Sequence, residues 1–453
     1  MLDIGSLCTA ECVDLSIDGR GIAKTEGRVI FVEDLLPGEC AEIRITGKNK
    51  KILEAQVETR LQNSPERQAA PCPHFGSCGG CDLLHCVYSL QAEFKRKRVQ
   101  DCLARICGLE WEVPAVLSVP PVLEYRNKAS FPVRQIAGRP QVGYLSRGGD
   151  RLIPVKQCAL IHPHMNAALQ AFSQWLEKSG VSAYDPRQHT GLIRRFTVRR
   201  TAEGKMMASV EINGKKLPKR DLLIDLLANS VPQLAGISYG VNTRKGADNL
   251  AEAMYSIYGS DRVREDINGL QFDISMQTFL QVNHGAAELL YRTALDQAGV
   301  TEGMQVIDLY CGAGTITLQA AKRGAQMYGI EIVPPAIEDA KQNAKWNGIR
   351  NAEFICADAG KGFAILNRRG VKADMVILDP PRKGTDPLTI GEICKCDPKQ
   401  ILYISCDPAT LARDIKLLMR EGYAVTYIQP VDLFPQTSHI ETIAVLKRDK
   451  KDA

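Results

Sequence analysis

The sequence lacks a long hydrophobic run: no apolar stretch approaches the ~20 residues that a membrane-crossing helix needs. It also lacks a basic start followed by an apolar stretch, because acidic residues occur early in the opening MLDIGSLCTAECVDLSIDG. From these two absences we expect neither a membrane bundle nor a secretory leader. We therefore expect a cytoplasmic protein with no membrane partner.

Internal repeats and low-complexity tracts are also missing from the 453 residues. The chain is 45% hydrophobic and 24% charged, which is the composition of an ordinary globular protein. A disordered tail protein and a collagen are therefore excluded. At about 100–200 residues per domain, this length predicts two to four domains, each long enough to bury a core.

Basic residues exceed acidic ones only in the middle of the chain. Residues 61–260 hold 26 Lys and Arg against 16 Asp and Glu, a net charge of +10, whereas residues 1–60 and 261–453 carry −3 and −2. A polyanionic partner would meet this middle region, although a solvated surface gives the same balance.

The basic run 194–200 reads as a strand within that region. Its alternation places Arg195 and Arg199 on one face, and Arg194 and Arg200 on the other. We predict that at least one of these pairs reaches the phosphates of a nucleic acid.

Three regions differ in their pattern of apolar residues. Short strands broken by glycine predict an OB-like β-barrel over residues 1–62, with strands near 29–32, 40–45 and 52–57. Residues 63–272 mix strands and helices without a nucleotide motif, which predicts an α+β central domain. The helix near residues 90–110 is a candidate to pack with the C-terminal domain.

Strands and helices alternate through residues 273–453. The predicted strands are 305–309, 326–330, 352–356, 375–378, 401–405 and 424–429, with helices at 335–347 and 408–421 between them. This order predicts an α/β domain: a Rossmann-like, mostly parallel sheet with helices on both faces.

A glycine loop follows the first of these strands. Cys311–Thr315, which contains Gly312, is a turn that opens a helix and brings backbone amides close to a ligand. Glu331 ends the next strand, where an acid accepts ribose hydroxyls, and Asp358 lies where an adenine amino group is read. Because Thr317 replaces the third glycine of the NAD fingerprint, this set indicates S-adenosylmethionine rather than a dinucleotide.

Three reactive side chains stand at later strand ends: Asp379, Cys406 and Glu441. The carboxyl ends of parallel strands line the ligand crevice. Cys406 precedes a helix-starting proline, and a helix N-terminus lowers a thiol pKa, so we predict a nucleophilic thiolate. Glu441 is the predicted base.

A thiolate, a carboxylate and a methyl donor together suit methylation of uracil C5. Addition of the thiolate to C6 makes C5 nucleophilic enough to attack the methyl sulfonium. A base then removes the C5 proton and the thiolate leaves, so covalent catalysis divides one difficult step into easier ones.

The chain has 15 cysteines, an odd and high number. A reducing compartment disfavours disulfides, so metal binding or catalysis is favoured. Cys72, Cys78 and Cys81 form C-x5-C-x2-C, and Cys158 supplies a fourth thiol from a later loop. Iron–sulfur clusters and zinc both take four thiolates, and the CGGC core favours iron–sulfur. The alternative fourth ligands are Cys86, His74 and His85.

These motifs resemble the RNA (uracil-C5)-methyltransferases of the ribosomal type, which carry a TRAM domain. The resemblance spans nearly the whole chain. Residues 19–23 are similar to the TRAM barrel, Tyr125–Lys128 to a central-domain signature and Gln277–Asn283 to the QVN segment of the family.

The resemblance implies roles for individual residues. It implies that S-adenosylmethionine is bound by Gln281, Tyr310, Glu331 and Asp379. It implies that Cys406 is the nucleophile and Glu441 the base. The implied ligands of a [4Fe-4S] cluster are Cys72, Cys78, Cys81 and Cys158. Asp407 departs from the family, in which many members have Asn after the cysteine. Its charge would leave the Cys406 thiol less acidic than usual.

The substrate implied is a uridine of 23S ribosomal RNA, held in a loop so that the base can leave its stack, and the enzyme is expected to be a monomer. A transfer-RNA uracil methyltransferase is the alternative within the class, but such enzymes usually lack the TRAM domain and the cluster. An inactive RNA-binding scaffold would have no use for Cys406 and Glu441. Thr317 disfavours an NAD oxidoreductase.

Overall fold

Five N-terminal strands close into a barrel in the computed structural model, which describes residues 2–25, 27–49, 52–246 and 251–449. The strands are β1 (Leu7–Leu15), β2 (Gly21–Thr25), β3 (Arg28–Glu33), β4 (Cys40–Asn49) and β5 (Ile52–Gln62), paired in the order β1-β2-β3-β5-β4. Alternate residues such as Ile30, Val32 and Leu53 fill the interior. The predicted OB-like barrel is confirmed.

Helix α1 (Tyr88–Cys102) joins the barrel to the C-terminal domain. Its Phe94 packs with Leu15 of the barrel. Val99 and the following π-helical turn, Leu103–Cys107, pack in the C-terminal core instead. This helix therefore fixes the barrel beside the C-terminal domain.

The central region contains a mixed sheet of seven strands in the order β12-β11-β10-β9-β6-β7-β8. Its strands are β6 (Lys128–Ile136), β7 (Arg139–Leu145), β8 (Leu152–Pro154), β9 (Ile193–Arg200), β10 (Met206–Ile212), β11 (Leu234–Val241) and β12 (Ala253–Gly259). Helices α2 (Pro163–Ser179) and α3 (Arg220–Ser230) pack with its apolar residues, and the Phe172 and Phe196 rings stack 4.2 Å apart.

A hairpin and a helix lead into the C-terminal sheet. They are β13 (Arg262–Ile267), β14 (Leu270–Ser275) and α4 (His284–Gln297). The side-chain oxygen of Asn283 accepts the Ala286 N–H and caps the start of α4. This hydrogen bond fixes the end of the segment that leads into α4.

The C-terminal sheet has the order β17-β16-β15-β18-β19-β21-β20, parallel from β17 to β19 and antiparallel beyond. Its strands are β15 (Gln305–Leu309), β16 (Gln326–Glu331), β17 (Ala352–Cys356), β18 (Met375–Leu378), β19 (Gln400–Ser405), β20 (Tyr423–Val431) and β21 (Glu441–Arg448). Its helices are α5 (Thr315–Lys322), α6 (Pro334–Trp346), α7 (Ala359–Arg368), α8 (Pro387–Lys395) and α9 (Pro408–Arg420). The predicted α/β fold is confirmed.

Within the described residues, no helix is both long enough and apolar enough to pass through a bilayer.

Candidate active site

The predicted site residues lie along one edge of the C-terminal sheet. Tyr310, Asp379 and Cys406 directly follow the parallel strands β15, β18 and β19, and Glu331 ends β16. Strand β21 runs in the opposite direction, so its first residue, Glu441, lies at the same edge.

The glycine loop after β15 is held by the predicted ribose acid. Gly312 N–H donates to Glu331 Oε2 over 3.2 Å, and Val333 N–H donates to Glu331 Oε1 over 2.9 Å. Tyr310 adopts a left-handed φ of 69°, a strained conformation for a residue with a side chain. The loop is thus set by tertiary contacts that bring the predicted cofactor residues together.

Asp358 starts helix α7, where its side chain accepts the Gly360 N–H over 3.2 Å. Thr317, which replaces the fingerprint glycine, donates its hydroxyl to Asp308 Oδ2 over 2.5 Å. Burial raises the pKa of Asp308 to about 7. Thr317 therefore binds the buried Asp308 carboxyl group below the glycine loop. The sequence pattern did not indicate this role for Asp308.

The central region holds the Gln281 segment in place. The Asn127 side chain donates to the Gln281 carbonyl over 3.0 Å, and Asn127 N–H donates to the Val282 carbonyl over 2.8 Å. The Lys128 ammonium donates to the Met276 carbonyl over 2.7 Å. The Tyr125–Lys128 signature thus connects the central sheet to the predicted cofactor residue.

Cys406 and Glu441 lie on neighbouring antiparallel strands. The last pair in the register of β19 and β21 is Ser405 with Thr442, and Cys406 and Glu441 are the next residue on each side of that pair. Residues opposite each other on such strands have Cβ atoms about 5 Å apart. The sheet therefore places the thiol and the carboxyl group side by side.

The electrostatics of this pair differ from the prediction. Burial, followed by the Glu441 carboxylate, raises the pKa of Cys406 to about 11, and Arg382 only partly offsets this rise. Burial and Asp379 raise the pKa of Glu441 to about 8, and burial raises that of Asp379 to about 7. The prediction that the helix end lowers the thiol pKa is wrong, because burial and neighbouring carboxylates outweigh that effect.

Asp407, which departs from the family pattern, caps a helix. Its Oδ1 accepts the N–H groups of Ala409 and Thr410, each over 2.9 Å, and so caps α9. The carboxylates that most raise the Cys406 pKa are Glu441 and Asp379.

Arg382 and His439 complete this corner of the site, and the sequence motifs that contain them indicated no role for either. Burial and Arg382 lower the pKa of His439 to about 4, so its imidazole is neutral near pH 7. His439 Nε2 lies 3.1 Å from Arg382 Nη2 and accepts its hydrogen bond. Their positions, four residues after β18 and two residues before β21, were the available signal.

The four predicted ligand cysteines line one cavity. Cys72, Cys78, Cys81 and Cys158 surround it together with Arg126, Tyr144 and His74. Cys86 lies elsewhere in a buried cluster, and its thiol donates to the Leu83 carbonyl over 3.2 Å. Within the described ranges, no three His, Cys, Asp or Glu side chains are grouped tightly enough to hold a single metal ion.

In each of the two predicted arginine pairs of β9, one arginine is buried and therefore not available to RNA. Arg194 and Arg199 are each only 3% exposed. Arg194 donates to the Asn242 carbonyl over 2.7 Å, and Arg199 donates to the Ser275 and Thr278 carbonyls over 2.7 and 2.6 Å. The prediction is wrong for these two residues, since their charges hold distant loops; the other member of each pair remains nearer the surface.

The sheet and its strand-end loops define a Rossmann-like methyltransferase domain. Two family models match the chain: tRNA (uracil-5-)-methyltransferase over residues 258–449 and the TRAM domain over residues 5–57.

Similar proteins cover nearly the whole chain. An uncharacterized RNA methyltransferase of Caldanaerobacter subterraneus subsp. tengcongensis is 37% identical over 446 residues, which is 98% of this chain and 99% of that protein. Another from Halalkalibacterium halodurans is 36% identical over 96% of this chain and 95% of its own length. The chain therefore belongs to the tRNA (uracil-5-)-methyltransferase family of RNA methyltransferases and carries a TRAM domain.

A solved structure agrees over the same length. The tRNA (uracil-54, C5)-methyltransferase of Pyrococcus abyssi, in complex with S-adenosyl-L-homocysteine, is 26% identical with a TM-score of 0.75. The match covers 97% of this chain and 100% of that one. RNA is the substrate class of the family, and S-adenosylmethionine is its methyl donor.

Proposed function

We propose that this enzyme methylates C5 of a loop uridine in 23S ribosomal RNA, with Cys406 as nucleophile and Glu441 as base. The observation that carries the proposal is the pairing of β19 with β21, which sets a thiol beside a buried carboxyl group at the cofactor edge. The thiolate adds to C6 and C5 takes the methyl group. Glu441 accepts the C5 proton, and the thiolate then leaves.

The buried carboxyl groups also suit a cationic methyl donor. Asp379, Glu441 and Asp308 all have raised pKa values, so their ionised forms are disfavoured before the cofactor binds. A sulfonium cation nearby favours ionisation of carboxyl groups. We propose that Gln281, Tyr310, Gly312, Glu331, Asp358 and Asp379 bind S-adenosylmethionine.

The RNA assignment is tested with unmodified transcripts and tritiated S-adenosylmethionine. The proposal expects 5-methyluridine in a 23S ribosomal RNA fragment and none in transfer RNA. Transfer RNA is the second candidate, since the Pyrococcus abyssi neighbour is a transfer-RNA enzyme. Methylation of transfer RNA alone would replace the first candidate with the second.

The pH dependence of methyl transfer follows from the raised pKa values. Glu441 must be ionised to accept a proton and Cys406 must be a thiolate to attack, and their pKa values are about 8 and 11. We expect kcat/KM for RNA to rise with pH from about pH 6 to pH 9, and the bound sulfonium to move the Glu441 part of this rise below pH 8. A profile measured at saturating S-adenosylmethionine checks this, and a flat or falling profile contradicts it.

We also propose that the cysteine cavity holds a [4Fe-4S] cluster. Four thiols line it, and the Arg126 guanidinium lowers the pKa values of Cys78, Cys81 and Cys158 against the rise from burial. Arg126 Nε is buried and has no hydrogen-bond partner within the described part of the chain. A cation at this position fits an anionic cluster, which would link two loops without offering an open iron.

Anaerobically purified protein is therefore expected to be brown with about four irons per chain. Cys158→Ser should lose the colour and the iron, whereas Cys86→Ser should keep both because Cys86 lies outside the cavity. Metal analysis and visible absorbance check this. A colourless wild-type protein with one zinc would contradict the cluster without affecting the methyltransferase.

We propose that Arg134 and Arg195, rather than the buried Arg194 and Arg199, bind RNA on the central sheet. Pro132 of β6 pairs with Arg195 of β9, and Arg134 lies two residues further along the same face. Burial, followed by the nearby Arg195 cation, lowers the pKa of Arg134. A phosphate between the two guanidinium groups would relieve this repulsion.

Arg134→Ala with Arg195→Ala should weaken RNA binding and reduce its salt slope by about 0.7–0.9 for each phosphate that the protein no longer binds. Titrations at several salt concentrations measure both effects. A matched variant is Arg350→Ala with Lys372→Ala, since both residues are exposed and precede the strands β17 and β18 at the opposite edge. If the salt slope of RNA binding is the same in the two double variants, Arg134 and Arg195 do not bind RNA phosphates.

A further inference from the structure

The connection between β20 and β21, residues 432–440, leads directly into Glu441, and α1 holds it from outside the C-terminal domain. The buried Lys95 ammonium donates to Asp432 Oδ1 over 2.8 Å and to the Phe434 carbonyl over 3.0 Å. Arg98 donates to the Ser438 carbonyl over 2.7 Å. The position of the base therefore depends on side chains far away in sequence.

Gln436 shows how strongly this connection is constrained. It is only 2% exposed and has a left-handed φ of 70°, which a residue with a side chain adopts at a cost. Gln91 of α1 binds it through two hydrogen bonds of 2.9 Å. The surrounding contacts, rather than local preference, select this conformation.

Asp82 provides further contacts to this connection, and it directly follows the cavity cysteine Cys81. Its Oδ2 accepts both the N–H and the hydroxyl group of Ser438, each over 3.0 Å. Its own N–H donates to the Gln436 carbonyl over 3.0 Å. One residue thus binds the connection at two points, the nearer of them three residues before Glu441.

We propose that Asp82 is a positioning residue for the base: it holds residues 436–438 so that the Glu441 carboxylate reaches the C5 proton. The proposal rests on the function assigned to Glu441 above. It also connects the cysteine cavity to the chemistry, because Cys81 and Asp82 are consecutive. Loss of the Asp82 carboxylate would leave the Ser438 N–H unpaired and remove the side-chain acceptor that holds the chain three residues before the base.

The proposal predicts which step fails in Asp82→Ala. Thiolate addition and methyl transfer precede proton removal, so a displaced base should allow both and delay release. We expect kcat to fall about tenfold or more, with KM for S-adenosylmethionine within about twofold of wild type. A covalent protein–RNA adduct should accumulate on a denaturing gel, as in Glu441→Gln.

Two milder variants keep the test independent of folding. Asp82→Asn retains an oxygen that accepts the Ser438 N–H and should recover much of the kcat that Asp82→Ala loses. Ser438→Ala removes only the hydroxyl contact and should slow release less than Asp82→Ala. Asp221→Ala is the matched control, because its side chain is 90% exposed in the central region, and it should form no adduct.

Iron content and visible absorbance are measured on each variant to separate positioning from loss of the cavity. An iron content equal to that of the wild type, together with a trapped protein–RNA adduct in Asp82→Ala, supports the proposal. Wild-type kcat and no adduct in Asp82→Ala, with an adduct in Glu441→Gln, would overturn it and leave the base assignment intact. If Asp82→Ala does not fold, wild-type kcat and no adduct in Ser438→Ala overturn it equally. No adduct in Glu441→Gln would instead count against the proposed function.

Discussion

Replacement of Cys406 by alanine is expected to abolish methyl transfer, with a loss of at least about 10⁴-fold in kcat. Without the thiol no C6 adduct forms, and uracil C5 is too weak a nucleophile to take the methyl group directly. S-adenosylmethionine affinity should stay within about twofold of wild type, since the residues proposed to bind adenosine directly follow β15 or end β16. Single-turnover assays and calorimetric titration measure the two quantities.

The matched control for this variant is Cys396→Ala. Cys396 is partly buried at the end of α8, outside the strand-end site. It should keep wild-type activity. Turnover by Cys406→Ala well above background would remove Cys406 as the nucleophile.

Glu441→Gln is expected to fail at a different step. The amide cannot take the C5 proton, so the RNA should be methylated once and remain bound to Cys406. Turnover should fall by about 10²–10⁴-fold, the usual contribution of a general base. A denaturing gel and mass spectrometry of the digested adduct detect both the cross-link and the added methyl group.

The double variant Cys406→Ala with Glu441→Gln provides the control, since it lacks the thiol and should show no cross-link. If Glu441→Gln releases methylated RNA at the wild-type rate, another group is the base. If it forms no adduct at all, the order of addition and proton removal is wrong.

Strand ends of the C-terminal sheet could be predicted where a short apolar run, such as Met375–Leu378, is followed at once by a polar residue. The predicted strands 305–309, 352–356 and 375–378 have the observed limits, and 326–330 and 401–405 differ by one residue. A buried parallel strand tolerates few polar side chains, so the first one marks the edge where ligands bind.

The electrostatics at Cys406 could not be predicted in the same way. A helix N-terminus is visible in sequence, and it predicts a lowered thiol pKa. The opposing carboxyl group of Glu441 reaches Cys406 because β21 inserts between β19 and β20. That strand order depends on tertiary pairing across more than thirty residues and leaves no local signal.

The arginines of β9 show a similar limit. Alternation assigned Arg194 and Arg199 to opposite faces, but it does not state what covers each face. Carbonyl groups near residues 242–244 and 275–278 bury the two guanidinium groups. Segments distant in sequence therefore turned two candidate RNA-binding residues into structural ones.

The most direct test of the central claim maps 5-methyluridine in the RNA of cells that have the gene, lack it, or carry it with Cys406→Ala. The account predicts that one or more 5-methyluridines in loops of 23S ribosomal RNA disappear without the gene and are not restored by Cys406→Ala, while transfer RNA keeps its modification. Unchanged 5-methyluridine in 23S ribosomal RNA, or its restoration by Cys406→Ala, would contradict the account.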